Sequence, residues 1–182
     1  DTADGGALTT ALASIERKPS ADAINVLVVG GSLGAVVLNE MLPSAMQKLS
    51  SVSALNINHQ TGKGRVEQVQ AAYQASGINA QVNEFIDDMA SAYQWADVVF
   101  CRAGALTVSE LACAGLPSVL VPYPYAIDDH QTANAKWLAN SGAAIVMPQS
   151  EMTEENIVKE LTKIISDKNV LAAMSAAAKK CS

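Results

Sequence analysis

The stretch Ile24-Asn25-Val26-Leu27-Val28-Val29-Gly30-Gly31-Ser32-Leu33-Gly34-Ala35 decides the fold class. Its first six residues form a β-branched and aliphatic run interrupted only by Asn25, the pattern of a parallel strand covered on both faces. Gly30 and Gly31 end the run in a turn. Behind the turn, Val37, Leu38, Met41, Leu42, Ala45, Met46 and Leu49 recur at intervals of three and four, the period of a helix with one apolar face.

The same alternation continues along the chain. Residues 53–58 read as a strand, Thr61-Gly62-Lys63-Gly64 as a turn, and 65–76 as a helix stopped by Gly77. A short strand follows at 80–83 and a short helix at 88–95, with Asp88 as its cap. Asp97-Val98-Val99-Phe100-Cys101 is the next strand, followed by a turn at Gly104 and a helix that Gly115 ends. Strands at 118–121 and 143–147 enclose a helix at 129–140. Helices at 153–165, opened by Thr153, and 169–180 complete the pattern. The order predicts an α/β protein with a doubly wound, Rossmann-like parallel sheet of about six strands, the 24–29 strand at its centre. Residues 1–23 lack strong periodicity and read as an N-terminal arm or linker, which leaves 24–182 as the domain.

Composition narrows the function classes. The chain has 182 residues, 49% of them hydrophobic, 16% charged and 4% aromatic, enough apolar weight for one sizeable core. Twelve basic against eighteen acidic residues give a net charge of −6, the wrong sign for a nucleic-acid or anionic-membrane footprint. No apolar run is long enough for a spanning helix, and the first residues, Asp1-Thr2-Ala3-Asp4, lack the basic start of a secretory signal. Cys101, Cys113 and Cys181 form no CxxC pair. A reduced, cytoplasmic compartment is expected, with Cys101 and Cys113 as small buried hydrophobes.

Ligands of doubly wound sheets sit beyond the carboxyl ends of the strands, which nominates the turns at 30–35, 84–89, 101–110 and 122–131. In the first, Gly31 and Gly34 let backbone amides approach an anion at a helix N-terminus, and the Ser32 hydroxyl adds a donor. The same turn matches G-x-S-x-G, so a serine hydrolase using Ser32 and His130 is an alternative. In the second, Asp87 and Asp88 are adjacent carboxylates, but Asp88 is needed as a cap, and the backbone at Ile86 is the better candidate for reading a planar ring. In the third, helix-start amides could take a phosphate, and Glu110 could accept both hydroxyls of a ribose or stand as a surface acid beside Arg102 or water. In the fourth, His130, Gln131 and Asn134 bring imidazole and amide groups suited to sugar hydroxyls.

Five separated motifs in this order resemble one family. They are Gly30-Gly31-Ser32-x-Gly34-Ala35, Phe85-Ile86-Asp87-Asp88-Met89, Arg102-Ala103-Gly104-Ala105-Leu106-Thr107-Val108-Ser109-Glu110 after Ala96-Asp97, Ala114-Gly115-Leu116-Pro117, and His130-Gln131-x-x-Asn134-Ala135. From about Ile24 to Lys180 the chain resembles the C-terminal, donor-binding half of the MurG family, which transfers N-acetylglucosamine from a UDP donor to an undecaprenyl-linked muramyl-pentapeptide, converting lipid I to lipid II in peptidoglycan synthesis.

The resemblance implies one half of a two-domain GT-B transferase that inverts at the anomeric carbon and needs neither metal nor cofactor. The backbone of Ile86 would meet uracil, with Phe85 and Met89 shaping the pocket, and Glu110 would hold the ribose. Ser32, with Gly31 and Gly34 around it, and the amides of Ala105, Leu106 and Thr107 would take the pyrophosphate. Arg102 belongs to the same donor-contacting set, and Gln131, with His130 and Asn134, would face the sugar. No catalytic residue is expected in this half. An N-terminal acceptor half is expected to be missing, and with it the lipid-linked acceptor and the peripheral membrane contact on the cytoplasmic face. An Asn-Pro-Val-Arg segment is replaced by Gly5-Gly6-Ala7-Leu8-Thr9, and Leu33 stands where Gln is frequent. The chain alone is expected to bind UDP or UDP-N-acetylglucosamine weakly and to transfer nothing. A non-catalytic interaction domain is the other alternative.

Overall fold

Strand β1 (Ile24–Val29) is held on both sides, hydrogen-bonded in parallel to β2 (Leu55–Gln60) and to β4 (Val98–Cys101). The computed structural model describes residues 8, 10–17, 22–31, 35–124 and 130–182. With β3 (Ala80–Asn83), β5 (Ser118–Leu120) and β6 (Ala144–Val146), the six strands run in the order β3-β2-β1-β4-β5-β6, and every neighbouring pair is parallel. The order reverses between β1 and β4, so the crevice for a ligand opens beside the carboxyl end of β1.

Alternate residues of β1 feed two separate cores. Ile24, Val26 and Val28 point to one face, where they meet α1 (Val36–Leu49), α2 (Val66–Ala75) and α6 (Glu154–Ile165). Leu27 points to the other face, toward α3 (Met89–Trp95), α4 (Ala105–Ala114) and α5 (His130–Asn140). Burial on both faces is why the strand carries an almost continuous apolar run instead of alternating with polar residues. The last helix, α7 (Lys168–Lys180), places Leu171 and Met174 in the first core and Ala178 in the second.

The expected caps form. Asp88 accepts from the Ser91 amide at 3.0 Å and from the Ser91 hydroxyl at 2.7 Å, and Thr153 accepts from the Asn156 amide at 3.1 Å. Gly115 closes α4 at φ +62, the left-handed conformation that favours glycine at a helix end.

One strand lies two residues later than its apolar pattern predicts: β2 is Leu55–Gln60, not 53–58. His59 and Gln60 look too polar for a buried strand end, yet they are 0% and 4% exposed because both spend their polar atoms inside the protein. Cys101 is fully enclosed, and burial pushes its thiol up to about 12. Cys113 is only half-buried, at the margin of the same core, so it is not the buried residue expected.

Part of the segment read as an arm belongs to that core. Leu12 and Ile15 are buried among residues of α3 and α4. Arg17 reaches three backbone carbonyls at helix ends: Ala114 from Nε at 2.8 Å, Ala96 from Nη1 at 2.6 Å and Tyr93 from Nη2 at 2.6 Å. Lys179 Nζ donates to the carbonyls of Ala13 and Ile15 at 3.2 and 2.7 Å.

Candidate functional site

The carboxyl edge of the sheet is organised by side-chain amides that hold backbone. On the β1–β2–β3 side, Gln60 Oε1 accepts from the Gly31 amide at 2.9 Å. Its Nε2 donates to the carbonyls of Gly31 at 3.1 Å and Glu84 at 2.9 Å. One carboxamide thus joins the turn after β1 to the turn after β3. Gly31 lies at φ +82 with open space where a side chain would project, so its glycine is required by conformation and not by crowding. Ser32 and Gly34, two of the expected phosphate contacts and the basis of the hydrolase alternative, lie outside the described residues.

Behind this turn, α1 is anchored by a buried polar chain. The Asn39 amide group donates to the Thr61 carbonyl at 3.1 Å, which turns its Oδ1 toward His59 Nε2 at 2.8 Å. Oδ1 can only accept, so His59 carries its proton on Nε2, and Nδ1 accepts from the Tyr73 hydroxyl at 2.7 Å. Burial drives the His59 pKa down to about 3, and the ring is neutral.

On the β4–β5 side the same device recurs. Gln131 Oε1 accepts from the backbone amides of Ala103 at 3.3 Å and Tyr123 at 2.8 Å, and Asn134 Nδ2 donates to the Ala103 carbonyl at 3.0 Å. Both residues sit in α5; Gln131 ties the turns after β4 and β5 together, and Asn134 adds a second hold on the turn after β4. His130 begins that helix and is exposed, and residues 125–129 before it lie outside the described residues.

Arg102 donates to the carbonyls of Val121 and Pro122 at 3.3 and 3.4 Å and lies over the Tyr123 ring at 5.4 Å, with burial lowering its pKa. It is therefore not the partner of Glu110. The Glu110 Oε2 accepts instead from the Tyr93 hydroxyl at 3.0 Å. Burial raises the Glu110 pKa above the ordinary carboxylate range, and the Tyr93 bond pulls against that rise.

Helix α4 begins at Gly104 with no side-chain cap, so the amides of Ala105, Leu106 and Thr107 are presented at the sheet edge, and Leu106 is 71% exposed. Phe85 is half-exposed, and Ile86 lies beside it in a groove shared with Asn58, Asn83, Asp88 and Trp95. Met89 opens α3, partly buried against the second core. The arrangement offers amides and a helix N-terminus for an anion, a carboxylate for a diol, and an exposed backbone edge for a planar ring.

Sequence reasoning named the ends of β1, β3, β4 and β5 but missed the end of β2. Gln60, His59 and Asn39 hold the site without being candidates for it, as does Tyr93 behind Glu110. The signal available was two polar residues, His59-Gln60, running directly into Thr61-Gly62 where an apolar strand was expected to have ended.

Residues 25–182 match the glycosyltransferase family 28 C-terminal domain. The chain belongs to that family. As a family 28 domain it is 49% identical over 171 residues to the UDP-N-acetylglucosamine--N-acetylmuramyl-(pentapeptide) pyrophosphoryl-undecaprenol N-acetylglucosamine transferase of Shewanella denitrificans, covering 93% of this chain and 47% of that one. The crystal structure of Acinetobacter baumannii MurG superposes with a TM-score of 0.85 at 45% identity, over 93% of this chain and 50% of that one. The glycosyltransferase of kitacinnamycin shares the fold, with a TM-score of 0.65 at 21% identity over 91% of this chain and 40% of its own. The fold is one half of a two-domain GT-B glycosyltransferase, and the family 28 domain spans about half the length of the curated relatives it matches. Among the described residues, no helix is long and apolar enough to cross a membrane.

Proposed function

We propose that this domain binds the UDP-N-acetylglucosamine donor of a transferase that converts lipid I to lipid II. The observation that carries the reading is the convergence at the β1/β4 switch point of the Gly30-Gly31 turn, the uncapped start of α4, and Glu110, in a chain half-identical to named N-acetylglucosamine transferases. Pyrophosphate would lie between the turn after β1, at Ser32 and Gly34 beside Gly31, and the amides of Ala105 to Thr107. The ribose would lie on Glu110, and uracil at Ile86 between Phe85 and Met89. Gln131, His130 and Asn134 border the sugar end, and Arg102 stiffens the turn after β5 beside it.

The domain's own contribution to transfer is orientation and stabilisation of the departing diphosphate by amides and the α4 dipole. In this reading the acceptor half provides the general base, the lipid-linked substrate site and any contact with the cytoplasmic membrane face. The isolated domain is inactive in transfer.

Calorimetric titration tests this reading. UDP binds the wild-type chain, and Glu110→Ala weakens that binding by about 1.5–3 kcal/mol, the value of hydrogen bonds to a charged acceptor. Absence of heat at millimolar UDP, or an unchanged affinity in Glu110→Ala, refutes it.

A further inference from the structure

Gln60 is 4% exposed, and both ends of its carboxamide are committed to backbone on two different turns. Gly31 has open space on its side-chain side, and among the described residues a pair of hydrogen bonds to Gln60 holds its peptide. The third bond runs to the Glu84 carbonyl, directly before Phe85-Ile86. From the opposite face of β2, His59 fixes Asn39 in the first turn of α1. Adjacent residues of one strand point to opposite faces, so this strand end secures both the entry and the exit of the 30–35 turn.

We propose that Gln60 is a positioning residue for the donor nucleotide, holding the Gly31 peptide at the entry of the turn that takes the diphosphate in register with the Ile86 edge that meets the base. The inference rests on the donor reading above. It adds a residue from a strand end that none of the nucleotide-contacting motifs contains. A ligand spanning both turns depends on their relative placement, whereas uridine uses only one of them. Preorganised amides bind an anion without reorganising, and Gln60 supplies that preorganisation.

Three measurements test it. Gln60→Leu keeps the volume and removes all three bonds; UDP affinity falls tenfold or more and uridine affinity threefold or less. In Gln60→Glu, an ionised carboxylate accepts from Gly31 but faces the carbonyls of Gly31 and Glu84 with no donor, while the protonated acid restores one donor. The UDP affinity of Gln60→Glu relative to wild type therefore recovers as pH falls from 8 to 5.5. Exchange of the Gly31 amide, read by NMR without ligand, accelerates in Gln60→Leu.

Equal losses for UDP and uridine, a pH-independent ratio, or unchanged Gly31 exchange each overturn the proposal. Failure of wild type to bind UDP overturns the donor reading and the ligand half of this one, and Gly31 exchange still decides the linkage.

Discussion

The Tyr93 hydroxyl donates a 3.0 Å hydrogen bond to Oε2 of Glu110, joining α3 to α4 beneath the candidate ribose site. Burial makes ionisation of Glu110 harder, and Tyr93 offsets part of that cost. The folded-state pKa lies above the unfolded value, so the folded protein holds this proton more tightly, and stability declines as pH rises through that interval. At neutral pH the charge is a standing cost. Glu110→Gln is therefore expected to melt higher than wild type at pH 7.5, with the gap narrowing at pH 4, while UDP binding weakens. A lower melting temperature for Glu110→Gln at pH 7.5 would contradict this.

His59 carries the opposite sign. Its pKa is lowered from 6.5 to about 3 by burial, so unfolding takes up a proton as soon as pH drops below 6.5. Stability is full above that pH and is lost as pH falls toward 3, at ~1.4 kcal/mol per unit, or ~2 kcal/mol by pH 5. His59→Gln should be less stable at pH 7.5 because the Tyr73–His59–Asn39 chain is broken. Its stability should nevertheless change less between pH 7 and 5 than that of wild type. Parallel pH profiles from urea unfolding would rule out this account.

Arg17 holds three carbonyls that α3 and α4 leave without helical partners at their C-terminal ends. A lysine ammonium does not reproduce the planar fork that reaches all three. Arg17→Lys should lower the unfolding free energy by about 2 kcal/mol, and Arg17→Ala by more. Urea midpoints of the two variants within error of wild type would show that the contacts carry no net stability.

Gly115 makes room for Lys179. A β-carbon there would lie 2.8 Å from Lys179 Cγ, on a backbone already at φ +62. Gly115→Ala is expected to destabilise the protein by about 1–2 kcal/mol from the left-handed backbone alone. It should also displace the ammonium that holds Ala13 and Ile15, speeding tryptic cleavage after Arg17. Lys179→Ala should speed the same cleavage. Cleavage at the wild-type rate in both variants would mean that Lys179 does not hold the segment.

The fold was legible because burial on both faces writes itself into composition. Ile24 to Val29, and Val98 to Cys101, read as strands without any knowledge of their neighbours, and the glycines at 31 and 115 mark chain reversals that only a few conformations allow. Glu110, about one and a half turns into the helix after β4, and Gln131 and Asn134, at the start of the helix after β5, were legible as polar site candidates behind such strands. Their actual partners were not. Gln131 and Asn134 use the amide groups described above on the backbone of Ala103 and Tyr123, and Glu110 meets Tyr93 instead of Arg102.

The end of β2 shows where local reasoning stops. Burying His59 and Gln60 is unfavourable unless every polar atom finds a partner, and those partners lie on α1, α2 and the turns after β1 and β3. No window of sequence contains them together. Leu12, Ile15 and Arg17 read as an unpatterned arm for the same reason, since their burial depends on helices that come some eighty residues later.

By itself, then, the sequence determined the alternation of elements, the doubly wound class and the edge of the sheet where a ligand belongs, because hydrophobic period and glycine placement are local properties. The tertiary structure alone decided which side chains hold that edge in shape. Hydrogen-bond satisfaction of a buried group is settled by whatever the fold brings within 3 Å of it.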